Sequence, residues 1–168
     1  MQKDTLLTHK HILVVDDERD VLELVEEELP MCLVDKAENY DTALEYLQSY
    51  IYDMVILDIM GVNGFKLLEE TVSKGFPTVM LTAHALSSES LKKSIKLGAV
   101  SFLPKDKLPE LKQYLEDVAS GGGKPVWQKL FHKLGTYFNK RFGPDWKEKD
   151  RFFKELMAEL GAAQGDQG

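Results

Sequence analysis

The chain has 168 residues, 43% of them hydrophobic, a formal net charge of -7 and one cysteine. That suffices for one full-sized core with a small appendage and excludes two full domains, an internal disulfide, and any apolar run long enough to span a bilayer. Residues 1–120 carry 12 Lys+Arg against 22 Asp+Glu, and residues 121–168 carry 9 against 6, so the body should repel nucleic acid.

In chain order, residues 1–9 read as a flexible N-terminus without the apolar centre of a secretory signal. HILVV at 11–15 is a first strand, followed by a helix on Val21, Leu22, Val25 and Leu29. CLVDKA at 32–37 is a second strand with Cys32 as core filler, followed by a helix on Ala43, Leu44 and Leu47. MVILD at 54–58 precedes a helix on Phe65, Leu68 and Val72, and TVMLT at 78–82 precedes one on Leu91 and Ile95. SFLP at 101–104 precedes a fifth helix on Leu108, Leu111, Leu115 and Val118, with Pro109 near its first position. Short branched runs alternating with helical periods predict an α/β fold of five βα units, a parallel sheet wrapped by helices, over residues 10–120. GGGKP at 121–125 reads as a linker.

In an open parallel sheet, reactive side chains gather beyond the carboxyl ends of the strands. The first strand there meets Asp16 and Asp17, the third Asp58, the fourth Thr82, and the fifth Lys105. Three carboxylates so close would raise one another's pKa unless a cation sits among them, and magnesium prefers such oxygen ligands. A carboxylate beside that ion can attack phosphorus, and Asp58 is the best nucleophile. Lys105 would neutralise charge on the transferring group, and Thr82 would donate its hydroxyl to it. Taken singly, Asp16 or Asp17 reads as a helix cap, Asp58 as a turn residue, Thr82 as a β-branched filler and Lys105 as a solvated charge; it is the set that carries the chemistry.

VVDDE, VILDIMG, LTAHA and SFLPK, in this order, resemble the motifs of the response regulator receiver domain of two-component signalling. The resemblance covers about residues 10–120. It implies a flavodoxin-like, doubly wound sheet of strand order 2-1-3-4-5, with Asp58 as phosphoacceptor. It implies Mg2+, with Mn2+ as a substitute, bound by Asp17, Asp58 and the Met60 backbone carbonyl, with Asp16 acting through water. Thr82 and Lys105 would sense the phosphoryl group, and Phe102 would be the rotating aromatic that reports it outward. Ala83 would keep the phosphate approach open, while Met60 and His84 would tune phosphate lifetime. Two departures are visible: DIMGVNG reaches Gly64 two residues early, and Pro104 precedes Lys105 where the family has Lys-Pro.

The implied role is a cytoplasmic, bacterial phosphorelay switch, a stoichiometric phosphoacceptor and not a turnover enzyme, served by a histidine kinase or phosphotransfer protein. One alternative is a receiver-like scaffold working without phosphorylation. Another is a magnesium-dependent phosphohydrolase of the haloacid dehalogenase type, which wants a second aspartate where this chain has Met60.

Beyond the linker, Trp127, Phe131, Leu134 and Phe138 form one apolar helical stripe that FGP ends at 142–144. Asp145 with Glu148 suggests a capping box for a second helix bearing Trp146, Phe153, Leu156 and Leu160. The expectation for 126–160 is a C-terminal helical hairpin whose aromatic stripe folds back on the receiver, pairs with a second copy of the chain or docks another protein, an interaction role with self-association being favoured, with 161–168 disordered. A protein target on the outer receiver face is the other expected contact. Lys129, Lys133, Lys140 and Arg141 permit a membrane-surface or nucleic-acid reading, but mixed acids and the lack of a motif argue against both. His132 reads as a surface histidine.

Overall fold

A computed structural model describes residues 5–83 and 87–165, with side chains through 158. Five parallel strands lie in the order β2-β1-β3-β4-β5. They are β1 (His11–Val15), β2 (Leu33–Ala37), β3 (Met54–Asp58), β4 (Thr78–Thr82) and β5 (Ser101–Pro104). Helices α1 (Arg19–Glu28), α2 (Tyr40–Ser49), α3 (Gly64–Ser73), α4 (Ser88–Leu97) and α5 (Leu111–Ser120) alternate with them.

Strands β3 and β4 are buried along their whole length, as continuous apolar runs between two helical layers must be. Edge strand β2 is half-exposed, which is why its sequence mixes Asp35 and Lys36 with apolar residues. Val55, Ile56 and Leu57 are wholly buried, each stabilising the fold by about 1.5–3 kcal/mol. That burial offsets the cost of ending the same strand on a carboxylate. The register places Asp58 beside Leu81, one residue before Thr82, so β3 and β4 finish at the same rim. Asn39 caps α2 by accepting from the Thr42 N–H at 2.8 Å, and Ser87 caps α4 by accepting from Ser90 at 3.1 Å.

Several boundaries differ from the sequence expectation. Residues 5–9 form a hydrogen-bonded turn whose Leu7 is fully buried, so this part of the N-terminus is anchored. Cys32 lies just before β2, half-buried, with its thiol donating to the Leu7 carbonyl at 3.3 Å; burial pushes that thiol up to about 11. Pro109 sits inside a 3-10 turn, Lys105–Glu110, and not at the start of α5. Its ring tolerates the tighter turn, and Leu108 is buried there.

The chain divides into two compact units, Met1–Val126 and Trp127–Gly168. Residues 121–125 therefore belong to the first unit: Gly121 N–H bonds back to Asp117 at 3.1 Å, and Val126 N–H donates to Val100 at 2.8 Å. The second unit holds α6 (Trp127–Lys133), α7 (Gly135–Phe142), α8 (Trp146–Lys149) and α9 (Arg151–Gly165), so the hairpin expectation is corrected to four helices among the described residues. The first predicted helix breaks at Leu134, whose φ of -104° and ψ of 15° leave the helical basin. The long last helix is capped by Asp150, which accepts from Phe152 N–H at 2.9 Å. Asp145 makes no cap bond, and its carboxylate pairs with Lys149 at 2.9 Å instead. Helix α9 continues through Gly165, past the expected end at 160.

The aromatic stripe turns inward. Trp127, Phe131, Leu134, Phe138, Trp146 and Phe153 are at most 4% exposed. Phe131 meets Phe138 and Trp146 with ring centroids 5.5 Å apart, and Trp146 meets Phe153 edge-on at 4.8 Å. The expectation that these six side chains face a partner is corrected: the helices of the tail close on them as a core, because rings of this size bury large apolar areas and favour edge-to-face contact with one another. His132 is exposed, as expected.

Candidate functional site at the carboxyl rim of the sheet

A cavity of about 210 Å³ opens where β1, β3, β4 and β5 end, and Asp17, Asp58, Met60, Thr82, Ala83 and Lys105 all line it. Each arrives by the same local rule, a strand that stops being apolar as it leaves the core. β1 stops at Val15 and hands on to Asp16 and Asp17; β3 and β4 end on Asp58 and Thr82 themselves; Lys105 follows Pro104 at the end of β5.

Asp16 is completely buried and Asp58 nearly so, at 4% exposure, while Asp17 is open to solvent. The Lys105 ammonium stands between them. It lies 2.9 Å from Asp16 Oδ2, 3.2 Å from Glu18 Oε1 and 3.4 Å from Asp58 Oδ1. Burial, and then the Asp16 charge, push Asp58 up to about 6, against the pull of Lys105 and of the Met60 backbone N–H that bonds its carboxylate. Burial likewise raises Asp16. Burial favours loss of the Lys105 proton, but the carboxylates of Asp16, Asp58 and Glu18 outweigh it and raise the ammonium pKa.

One ammonium does not satisfy this much buried acid. Asp16 Oδ2 makes no well-angled hydrogen bond among the described residues, its ion pair with Lys105 being its close contact. Oxygens of Asp16, Asp17 and Glu18 come within 4.8 Å of one another. A buried oxygen compensated by a single ion pair, beside two further carboxylates, is a donor set that fits a hard divalent ion. Asp58 is outside that close group and shares the Lys105 ammonium with Asp16 and Glu18.

The loop after β3 is shaped around these carboxylates. Gly61 has φ +85°, and a Cβ there would lie 2.6 Å from Asp17 Oδ2. Gly64 opens α3, and a Cβ on it would lie 2.1 Å from the Asp58 carbonyl oxygen, so the helix seats directly on the end of β3. The shortened DIMGVNG loop thus brings glycines to the two points of closest approach.

The remaining sequence candidates are placed as follows. Met60 is 74% exposed at the cavity mouth and Ala83 is also exposed. The Thr82 hydroxyl donates to the Ala83 carbonyl at 3.2 Å. Phe102 is wholly buried within β5. His84 lies outside the described residues. Sequence reading missed two participants, Glu18 and Gly61. Glu18 stood in view as the last letter of VVDDE, and only its closeness to Lys105, 87 residues on, shows its involvement.

A family model described as the response regulator receiver domain matches residues 12–116, more than half of the chain. The chain belongs to the receiver domain family. Receiver domains are phosphorylation-dependent signalling switches of two-component systems, not turnover enzymes in the ordinary sense. This receiver is similar to the two-component response regulator ARR10 of Arabidopsis thaliana, 33% identical over 137 residues that cover 77% of the chain and 22% of that protein. It is also similar to the phosphate regulon transcriptional regulatory protein PhoB of Klebsiella pneumoniae, 31% identical over 115 residues, 60% of the chain and 47% of that protein. Among solved structures, chemotaxis protein CheY4 of Vibrio cholerae superposes with a TM-score of 0.59 at 27% identity, covering 65% of this chain and 98% of the other. The chain spans less than half the length of the curated relatives it matches. Those relatives come from a plant as well as from bacteria. Among the described residues, no helix is long and apolar enough to cross a membrane.

Proposed function

We propose that the receiver takes a phosphoryl group onto Asp58 from a phosphohistidine of a histidine kinase or phosphotransfer protein, and thereby changes which proteins it binds. An Asp58 oxygen attacks phosphorus as the P–N bond of the donor breaks, and the bonding electrons return to the imidazole. The observation that carries this reading is the shared cavity: a nearly buried Asp58 faces open space with an ammonium 3.4 Å away and two further carboxylates, Asp17 and Glu18, just beyond β1. Magnesium, or manganese in its place, would be held by Asp17, Asp58 and the Met60 carbonyl, with Asp16 acting through water. When bound it supplies positive charge beside the transferring group. Lys105 would hold the opposite side of that group, and Thr82 would turn its hydroxyl from Ala83 towards it. Phe102, now inward, would report that turn to the outer face. Met60, Ala83 and His84 would govern access to the phosphoryl group and its lifetime.

Two features support acceptance over turnover. The position two residues beyond Asp58, where a phosphohydrolase carries its acid and base, is an exposed methionine. No ionisable side chain other than Lys105, Asp17, Glu18 and Asp58 appears among the described residues lining the cavity. Incubation with acetyl phosphate and Mg2+ should label one site per chain, and Asp58→Asn should abolish the label. Labelling that survives this substitution sinks the assignment, and sustained release of phosphate from many donor molecules would return the hydrolase reading. A scaffold that works without phosphorylation predicts no label at all.

A further inference from the structure

We infer that Glu18 is a positioning residue that latches Lys105 in the resting receiver and must release it when a phosphoryl group arrives. The inference rests on the reading of Asp58 as phosphoacceptor and extends it to a side chain that the reading leaves without a task.

Glu18 occupies the N-cap position of α1 yet its side chain makes no cap bond. Its backbone N–H donates to Asp16 Oδ1 at 2.9 Å, which fixes the direction in which residue 18 leaves the rim. From there its carboxylate reaches Lys105 at 3.2 Å. The same ammonium is 2.9 Å from Asp16 and is farther, at 3.4 Å, from Asp58. The ammonium is thus drawn to the β1 side of the cavity by two carboxylates and meets the phosphoacceptor at the longest of its three contacts. Serving a phosphoryl oxygen on Asp58 requires it to move away from β1. Asp16 would give up its share readily, since a divalent ion beside it takes over its compensation. Glu18 lies near that ion but outside the set proposed to hold it, and among the described residues its carboxylate has no other ion-pair partner. Glu18 therefore weighs against the phosphorylated arrangement and in favour of the resting one.

The size of the effect follows from exposure. The Glu18 side chain is 63% accessible while Lys105 is 15% accessible, so the pair lies at the rim and is screened. Exposed pairs of this kind correspond to roughly twofold to fivefold in an equilibrium constant. The latch tunes the switch; it does not prevent it.

A double-mutant cycle on the full chain tests this, with beryllofluoride and Mg2+ as the phosphoryl mimic. Glu18→Gln, which keeps the shape and removes the charge, should tighten beryllofluoride binding by roughly twofold to fivefold. In a Lys105→Met background the same substitution should have no effect, because the latch acts only through the ammonium. Should the Lys105→Met chain bind too weakly to measure, the cycle is read instead from its rate of labelling by acetyl phosphate. Equal tightening in both backgrounds would mean that Glu18 merely repels the anion, and it overturns the latch. Unchanged or weaker binding in Glu18→Gln alone also overturns it, the latter exposing Glu18 as a direct support of the cation. Failure of the unmodified chain to bind beryllofluoride or accept label overturns the Asp58 reading first and the latch with it, so the two failures are distinguishable.

Discussion

The two units bury different chemistry. In the receiver, Asp16, Asp58 and Thr82 are buried at the carboxyl rim of the sheet, whereas the residues buried among the described part of the tail are all apolar or aromatic. Buried acid costs several kcal/mol per ion unless something compensates it, so its persistence marks a working site. A buried cluster of rings needs no such compensation and marks only a core. Exposure of an aromatic stripe would have marked a docking surface, and that is where the tail departs from its sequence reading.

The widest gap between the units should appear when the ring cluster is cut. Phe153→Ala is expected to destabilise the tail by about 3–5 kcal/mol, the usual cost of a large aromatic cavity. Both tryptophans of the chain, Trp127 and Trp146, lie in the tail, so their fluorescence in a urea titration reports that unit alone. The tail midpoint should fall while beryllofluoride binding by the receiver is unchanged; a matching loss of binding would show that the units depend on one another. The converse substitution is Gly64→Ala, whose methyl would press on the Asp58 backbone. It should destabilise the receiver by about 1–3 kcal/mol, followed by far-UV circular dichroism, and leave the tryptophan transition in place.

Acidity sharpens the contrast at the rim. In metal-free protein Asp58 is raised from an ordinary 3.8 to about 6, so the folded state holds its proton longer than the unfolded chain does. The stability this contributes is fully present below pH 3.8 and is lost as pH rises through about 6. Asp58→Asn should therefore have a higher Tm than the parent at pH 7.5, and the difference should shrink towards pH 4 and in saturating Mg2+. A difference that stays constant across that range would show that Asp58 is not the group under stress. The smallest expected effect lies in the tail, where Asp150→Ala should cost about 1 kcal/mol through loss of the α9 cap. Asp145→Ala should cost less, its exposed pair with Lys149 being the weaker device.

Much of the receiver was readable before folding was considered. HILVV, MVILD, TVMLT and SFLP became strands at the expected residues, because a continuous apolar run of that length has few other ways to hide from water on both faces. Asp58, Thr82 and Lys105 were equally legible, since each interrupts such a run at its carboxyl end. The tail was harder. Trp127, Phe131, Leu134 and Phe138 at intervals of three and four specify a helical face, and the same intervals serve a face turned inward and one turned outward. Asp145 read as the cap of the second helix, whereas the structure gives that role to Asp150, one short helix further on.

By itself, then, the sequence determined the order of strands and helices and the residue types that crowd one rim, because period and polarity are local properties of a chain. Tertiary structure decided that Asp16 is buried against Lys105, that Glu18 shares that ammonium 87 residues away, and that the aromatic face of the tail is covered. Those outcomes depend on distances between segments far apart in sequence, and such distances exist only once the elements have packed.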